Sequence, residues 1–82
     1  MREYTPAEIE QNFEVRIALE GFAARQAAVR ASAEELALIE AIQHERDSAI
    51  APTAEFRATS NRRFHDAIIA AAHNGRLADA IF

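Results

Sequence analysis

The chain has 82 residues, half of them hydrophobic, a formal net charge of −4 and a pI near 5.3. This length allows one small domain. The net negative charge argues against binding of a nucleic-acid phosphate backbone by this segment, since such binding requires a basic face. Two glycines, two prolines and no cysteine argue against an all-β fold, a disulfide framework and a thiolate metal site. Because no apolar run approaches the roughly 20 residues of a membrane span and no signal-peptide pattern opens the chain, we expect a cytoplasmic protein.

The first predicted helix runs from about Ala7 to Ala31, with Thr5-Pro6 as its N-cap and first-turn proline. Apolar residues at helical spacing predict its inward face: Ile9, Phe13, Ile17, Ala24, Ala27 and Ala28. Gly21 costs on the order of 1 kcal/mol against alanine in a helix. Its position in mid-pattern therefore predicts either a tight helix crossing or a slight bend.

A second helix begins at the capping box formed by Ser32 and Glu35, fades near Ala51 and ends at Pro52. Its predicted inward residues are Leu36, Ile39 and Ile42. Thr53 is the expected N-cap of a third helix over about 54–73. These signals are local, so they predict the helix boundaries more firmly than the helix packing.

Asn74-Gly75 predicts a helix stop of the left-handed type, and 76–82 then begins another apolar pattern. A short helix ending in Ile-Phe is a poor terminus for a soluble chain, so we expect the natural protein to continue beyond Phe82. The elements together predict an all-α fold, an antiparallel bundle of three helices plus the start of a fourth. Alanines bury little area each, which favours a homo-oligomer, expected to be a dimer, that associates through the first and last helices.

Two polar side chains on the third helix form a candidate site. Asn61 and His65 are four residues apart, so they point from one face, beside an apolar stripe of Phe64, Ile68 and Ala72. An amide oxygen and an imidazole nitrogen at this spacing can share one metal ion. The alternatives are a histidine hydrogen-bonded to a backbone carbonyl or water, and an asparagine exposed on the helix surface.

The remaining polar groups favour ordinary structural roles. His73 lies at a helix C-terminus, where the helix dipole favours a cation, so capping is its expected role. A basic cluster is flanked by Glu55 and Asp66 and is interpreted as a solvated helix face: Arg57, Arg62 and Arg63. No nucleophile, base and orienting group can be assembled and there is no Gly-rich phosphate loop, so no enzyme is predicted.

Four segments, taken in order, resemble one family. Residues 13–28 (FEVRIALEGFAARQAA) resemble the first long helix of the FCD domain, the C-terminal effector-binding domain of FadR-subfamily GntR transcription regulators. The segments that follow also look like that family: ASAEEL at 31–36, NRRFHDAI at 61–68 and AAHNGRL at 71–77. The resemblance covers about 4–82.

The resemblance implies a ligand-sensing and dimerising bundle, normally preceded by a winged-helix domain that makes the DNA contacts. In many members an Asp, a His four residues later and two His from later helices bind a divalent metal, such as Zn or Ni, which holds a small carboxylate effector. The matching positions are Asn61 and His65, where Asn replaces the commoner Asp. We therefore expect 1–82 to be a single partial effector-binding and dimerisation domain, without the later histidines and without a DNA-binding domain.

The resemblance also places Arg16 toward the effector pocket, where a guanidinium would bind a carboxylate bidentately. The alternative is an ion pair with Glu20 at i, i+4. The effector-binding residues implied are thus Arg16, Asn61 and His65, with Asn61 and His65 also as metal ligands. The competing functional prediction is a small helical protein–protein interaction module that binds no ligand.

Overall fold

A computed structural model describes residues 3–81, which form the helices α1 (Pro6–Arg30), α2 (Ala33–Ser48), α3 (Ala54–Ala71) and α4 (Gly75–Ile81). The predicted all-α fold is confirmed, since these residues contain four helices and no strand. Phe82, the last residue of the predicted apolar pattern, lies outside the described residues. None of the helices within 3–81 is long and apolar enough to cross a membrane.

Side-chain caps begin the first three helices at the predicted residues. At α2, the Ser32 hydroxyl accepts from the Glu35 backbone N–H at 3.1 Å, and the Glu35 carboxylate accepts from the Ser32 N–H at 2.8 Å. Thr5 and Glu8 form a second capping box at α1, which the sequence analysis had identified only as a cap, and Thr53 caps α3. Each cap stabilises its helix by about 1 kcal/mol, so these three helix starts are fixed locally.

The end of α2 differs from the prediction. The helix stops at Ser48 and does not extend to Ala51. Ala51 instead adopts a positive φ of 47°, which turns the chain toward α3. The residue before a proline is sterically disfavoured in the right-handed helical region, and Ala51 precedes Pro52, so the helix cannot continue to this point.

The turn between α3 and α4 also begins earlier than the predicted stop at Asn74-Gly75. The left-handed residue is His73, with φ 50°, and Gly75 has no positive φ but begins α4. Asn74 serves as a cap for α4, because its Oδ1 accepts from the Leu77 backbone N–H at 3.1 Å. The Asn74 side chain therefore starts the following helix and does not end the preceding one.

α3 is the central helix of the bundle. It packs against α1, α2 and α4, and α1 also packs against α4, whereas within 3–81 α2 packs on neither α1 nor α4. The core contains one small residue from α1, where the helices approach closely, and larger side chains from α3 and α4; its buried members are Ala23, Ile69, Ala72 and Leu77. Ile42 is buried on the α2 side of α3.

The predicted inward face of α1 is wrong over its N-terminal half. Ile9, Phe13 and Ile17 are 57%, 65% and 57% exposed, while the buried residues of α1 are Ala23 and Ala27. The physical reason is that α2 does not pack on α1, so α2 does not cover this face. Of the other predicted inward side chains, Ala24, Ala28 and Leu36 are also exposed, whereas Ile39, Phe64 and Ile68 are half-buried.

Gly21 does not mark a tight crossing. A Cβ added there would meet only the Arg25 guanidinium, at 3.7 Å, an ordinary van der Waals distance. α1 is assigned as one helix through this position. The side of α1 at Gly21 thus has room for a side chain.

Three polar contacts tie the α3–α4 turn to the rest of the bundle. The Arg30 guanidinium donates to the Ala72 carbonyl at 3.2 Å, and the Asn74 amide donates to the Gln26 side chain at 3.0 Å. The His73 ring contacts Glu35 of α2, with 2.7 Å between Nε2 and Oε1. His73 therefore links two helices, which its position at a helix end alone did not predict.

Replacing Glu35 with glutamine is expected to reduce the loss of stability on acidification. The backbone hydrogen bond from Ser32, followed by the contact with His73, lowers the pKa of Glu35 from its ordinary value of 4.5. Because the folded-state pKa is the lower one, the charged carboxylate stabilises the fold fully above pH 4.5, and this contribution is lost as the pH falls through the lowered pKa. Urea midpoints measured across the acid range test this.

The matched control is Glu34→Gln, which removes the same charge from the same first turn of α2. Glutamine at 35 can still complete the capping box, so Glu35→Gln tests the charge and not the cap. If both variants show the same dependence of the urea midpoint on pH as the natural chain, the proposed role of the Glu35 charge is incorrect.

Candidate functional site

A cavity of about 550 Å³ lies between α1, α3 and α4. α1 contributes Arg16 and Glu20, and α4 contributes Ile81. α3 contributes the remaining lining residues: Asn61, Arg62, His65, Asp66 and Ile69. The three effector-binding residues expected from the sequence therefore line the same cavity, although they come from two helices.

The α3 side of the cavity follows from helical periodicity. Asn61 and His65 are four residues apart, as are Arg62 and Asp66, so the two pairs form adjacent rows on one face. Ile69 continues these rows one turn later and is 7% exposed. The apolar residue beneath the polar groups is thus Ile69, and not the stripe through Phe64 and Ile68 that the sequence predicted.

Arg16 lies on the cavity and is also paired with a neighbour. Its Nε and Nη2 atoms are each 3.3 Å from Oε1 of Glu20, and the Arg16 side chain is 62% exposed. The ion pair predicted as the alternative role of Arg16 is therefore present. Since both members line the cavity, a bound carboxylate would compete with Glu20 for the same guanidinium.

Arg62 is a cavity residue that the sequence pattern did not predict. It was assigned to a solvated basic cluster with Arg57 and Arg63. Arg57 donates to the Pro52 carbonyl at 3.0 Å and Arg63 approaches Glu45 at 3.4 Å, whereas Arg62 has no hydrogen bond or ion pair with any residue of 3–81. The available signal was its spacing of three and four residues from His65 and Asp66.

Asn61 makes a contact that no local pattern could reveal. Its Oδ1 accepts from Nη2 of Arg46, on α2, at 2.8 Å. The Arg46 guanidinium carbon also lies 4.9 Å from the centre of the Phe64 ring, a cation–π distance. The carbonyl oxygen predicted as a metal ligand is thus engaged by a cation from the neighbouring helix.

His65 is exposed and lines the cavity. Its ring lies edge-on to Phe64, with 6.1 Å between the ring centres, and within the described part of the chain it has no hydrogen bond to a protein group. The expected alternative, a histidine hydrogen-bonded to a backbone carbonyl, is therefore not seen. Its ring nitrogens are free to contact a ligand.

The donor set of the described residues does not fit a complete divalent metal site. Catalytic and structural zinc sites use three or four protein ligands. The cavity offers the predicted pair, Asn61 and His65, beside the carboxylates of Asp66 and Glu20. Residues 3–81 contain no group of three or more His, Cys, Asp or Glu that could hold a metal ion. The hydrogen bond from Arg46 further weakens Asn61 as a ligand, because the same oxygen would have to face both a guanidinium and a metal cation.

The comparisons with known proteins give one match. A family model described as the FCD domain matches residues 11–81, which is most of the chain. No curated protein and no solved structure matches the chain. The matched range includes α2, α3, most of α1 and all of α4, together with every residue that lines the cavity.

Proposed function

This chain belongs to the FCD domain family, and from that premise we propose that it senses a small organic acid for a transcription regulator of the GntR family, FadR subfamily. FCD domains are ligand-binding domains of GntR-type regulators, which are not enzymes. The proposed role of the chain is therefore to bind an effector and to dimerise. Operator contacts would be made by a separate DNA-binding domain of the same regulator.

One observation carries the proposal: two guanidinium groups, an amide and an imidazole converge on one cavity with an apolar floor, which the carboxylates of Glu20 and Asp66 also line. Arg16 and Arg62 supply positive charge, and Ile69 and Ile81 supply apolar surface. This combination suits a short organic acid, whose carboxylate binds a guanidinium while its carbon chain packs on isoleucine. A volume of about 550 Å³ is within the range of small-molecule sites.

The arrangement also suggests how binding could be transmitted. Arg16 belongs to α1 and Arg62 to α3, so a ligand that contacts both would connect the two helices. A ligand shifts a conformational equilibrium only by its difference in affinity for the two states. We propose that bridging of α1 and α3 favours one placement of these helices, and thereby one arrangement of the DNA-binding domains in the dimer.

Dimerisation is the second part of the proposal. FCD domains of GntR regulators typically oligomerise and bind small-molecule effectors. The apolar side chains left exposed on α1 support this role for the present chain: Ile9, Phe13 and Ile17. The same surface would serve the alternative function, an interaction module without a ligand, so effector binding is the property that separates the two.

The direct test compares acids with their uncharged analogues. Acetate and succinate are titrated into the 82-residue chain beside acetamide and succinamide, and the thermal midpoint and amide NMR shifts are recorded. We expect stabilisation by the acids alone, of about 2.7 kcal/mol at a hundredfold excess over Kd, with shifts centred on Arg16, Arg62 and His65. Equal responses to acids and amides, or shifts outside the cavity, would favour the interaction-module alternative.

A further inference from the structure

Arg46 connects α2 to the site without lining its cavity. The half-buried side chain lies over the Phe64 ring at 4.9 Å and donates from Nη2 to Oδ1 of Asn61 at 2.8 Å. Phe64 and Asn61 both belong to α3, so the guanidinium is held by one helix on two sides. Both contacts are charge-assisted, and together they fix the position of this side chain more strongly than either alone.

The Arg46 contact determines the orientation of the Asn61 amide. A guanidinium has hydrogen-bond donors and no acceptor, so only the amide oxygen can face it. The NH2 group of Asn61 is consequently directed away from Arg46. Asn61 also lines the cavity of about 550 Å³. Because its oxygen is engaged by Arg46, we infer that the group it presents to a ligand there is the NH2 donor.

Asn61 in addition separates two cavities. A smaller one, of about 330 Å³, lies between α2 and α3 and is lined by both Asn61 and Arg46, whereas Arg46 does not reach the larger cavity. The hydrogen bond between the two side chains therefore lies at the boundary. Arg46 acts on the larger cavity through the Asn61 side chain that it holds, which makes it a positioning residue.

The structure assigns Arg46 as the residue that orients the Asn61 amide so that its NH2 group is the donor available to a ligand in the cavity. A carboxylate would therefore bind directly to this NH2 group, and a divalent cation would not bind at this position. A donor NH2 group is complementary to a carboxylate oxygen and repels a cation. A metal ion on Asn61 Oδ1 would have to lie next to the guanidinium that donates to the same oxygen at 2.8 Å, or displace that hydrogen bond. The part of this inference that concerns a bound carboxylate rests on the proposed function. The part that concerns exclusion of a divalent cation does not depend on any effector.

The test uses Ni²⁺ alone as the probe, with the natural 82-residue chain and three variants. Calorimetry and NMR are expected to show no saturable Ni²⁺ binding at Asn61 and His65 in the natural chain. Asn61→Asp should bind Ni²⁺ weakly, because Arg46 pairs with the new carboxylate. Asn61→Asp combined with Arg46→Met should bind at least about tenfold more tightly, the usual size of an outer-shell effect on metal affinity. Methionine retains an apolar side chain over Phe64.

The matched control is Asn61→Asp combined with Arg63→Met. Arg63 also links α3 to α2, through Glu45 at 3.4 Å, but makes no contact with Asn61. This variant removes the same charge and is expected to leave the Ni²⁺ affinity of Asn61→Asp unchanged. An equal gain from Arg63→Met would overturn the assignment, since it would reveal a general charge effect.

A second readout needs no substitution. In the natural chain, the NMR signals of the Asn61 side-chain NH2 group should shift on addition of succinate and should not broaden on addition of paramagnetic Ni²⁺. Saturable broadening of Asn61 and His65 by Ni²⁺ would overturn the inference while leaving the carboxylate proposal intact. Conversely, absence of any succinate effect would contradict the proposed effector class, while the Ni²⁺ series would still test the role of Arg46.

Discussion

Replacing Ile69 with alanine is expected to lower the free energy of unfolding by about 2–5 kcal/mol. Ile69 is 7% exposed and packs with Ala23, Ala72 and Leu77, so it joins α3 to both α1 and α4. Truncation removes the transfer free energy of the buried carbons and leaves a void at the meeting point of three helices. A small domain has a net stability of only about 5–15 kcal/mol, and one of this size lies near the lower end, so a large part of it would be lost.

Ile50→Ala is the matched control, because Ile50 is 94% exposed and the substitution deletes the same atoms. Its effect should remain within about 0.5 kcal/mol, as for surface substitutions generally. Urea unfolding followed by circular dichroism measures both. Similar losses for the two variants would mean that the α1–α3–α4 cluster does not hold the fold together.

The helix starts could be predicted from the sequence because their causes are local. Ser32 and Glu35 are three residues apart, and their reciprocal hydrogen bonds need no other helix. The same is true of the hydroxyl of Thr53. The end of α3 was predicted less accurately, since the turn at His73 is stabilised partly by a contact with Glu35, which is distant in the sequence.

The buried face of α1 could not be predicted in the same way. Ile9, Phe13 and Ile17 have the spacing of an inward stripe, but spacing identifies a shared face and not the helix that covers it. α2 packs on α3 and not on α1, so among the described helices α2 does not cover this face. The tertiary arrangement determines which apolar face is covered. In α1 the covered face contains the small residues Ala23 and Ala27.

In the candidate site, too, local spacing could be predicted from the sequence, whereas contacts between helices could not. The pair Asn61 and His65 was visible from its spacing, and its convergence with Arg16 was expected only from the family resemblance. Arg62 differs from the prediction because the cluster with Arg57 and Arg63 resembles a solvated basic face, and only its spacing from His65 and Asp66 distinguishes it. The contact of Arg46 with Asn61 joins residues on different helices, and no periodicity connects them.

Replacing Arg16 with glutamine is expected to weaken carboxylate binding by about 10- to 100-fold. A hydrogen bond to a charged group contributes about 1.5–3 kcal/mol, and each 1.4 kcal/mol corresponds to a factor of ten in Kd. Stability should change little, because the Arg16 pair with Glu20 is an exposed i, i+4 ion pair. Titration of succinate, followed by calorimetry and amide NMR shifts, gives the Kd of each variant.

Arg25→Gln is the control for charge, since it removes one guanidinium from the same helix at a residue that does not line the cavity. The Arg25 guanidinium instead lies 5.7 Å from the Phe22 ring centre. Glu20→Gln provides a change of opposite sign: Oε1 of Glu20 lies 3.3 Å from the Arg16 guanidinium, so its neutralisation should tighten carboxylate binding. If Arg16→Gln and Arg25→Gln weaken succinate binding equally, the effect reflects overall charge. The carboxylate would then have to be placed at Arg62, the remaining cation of the cavity.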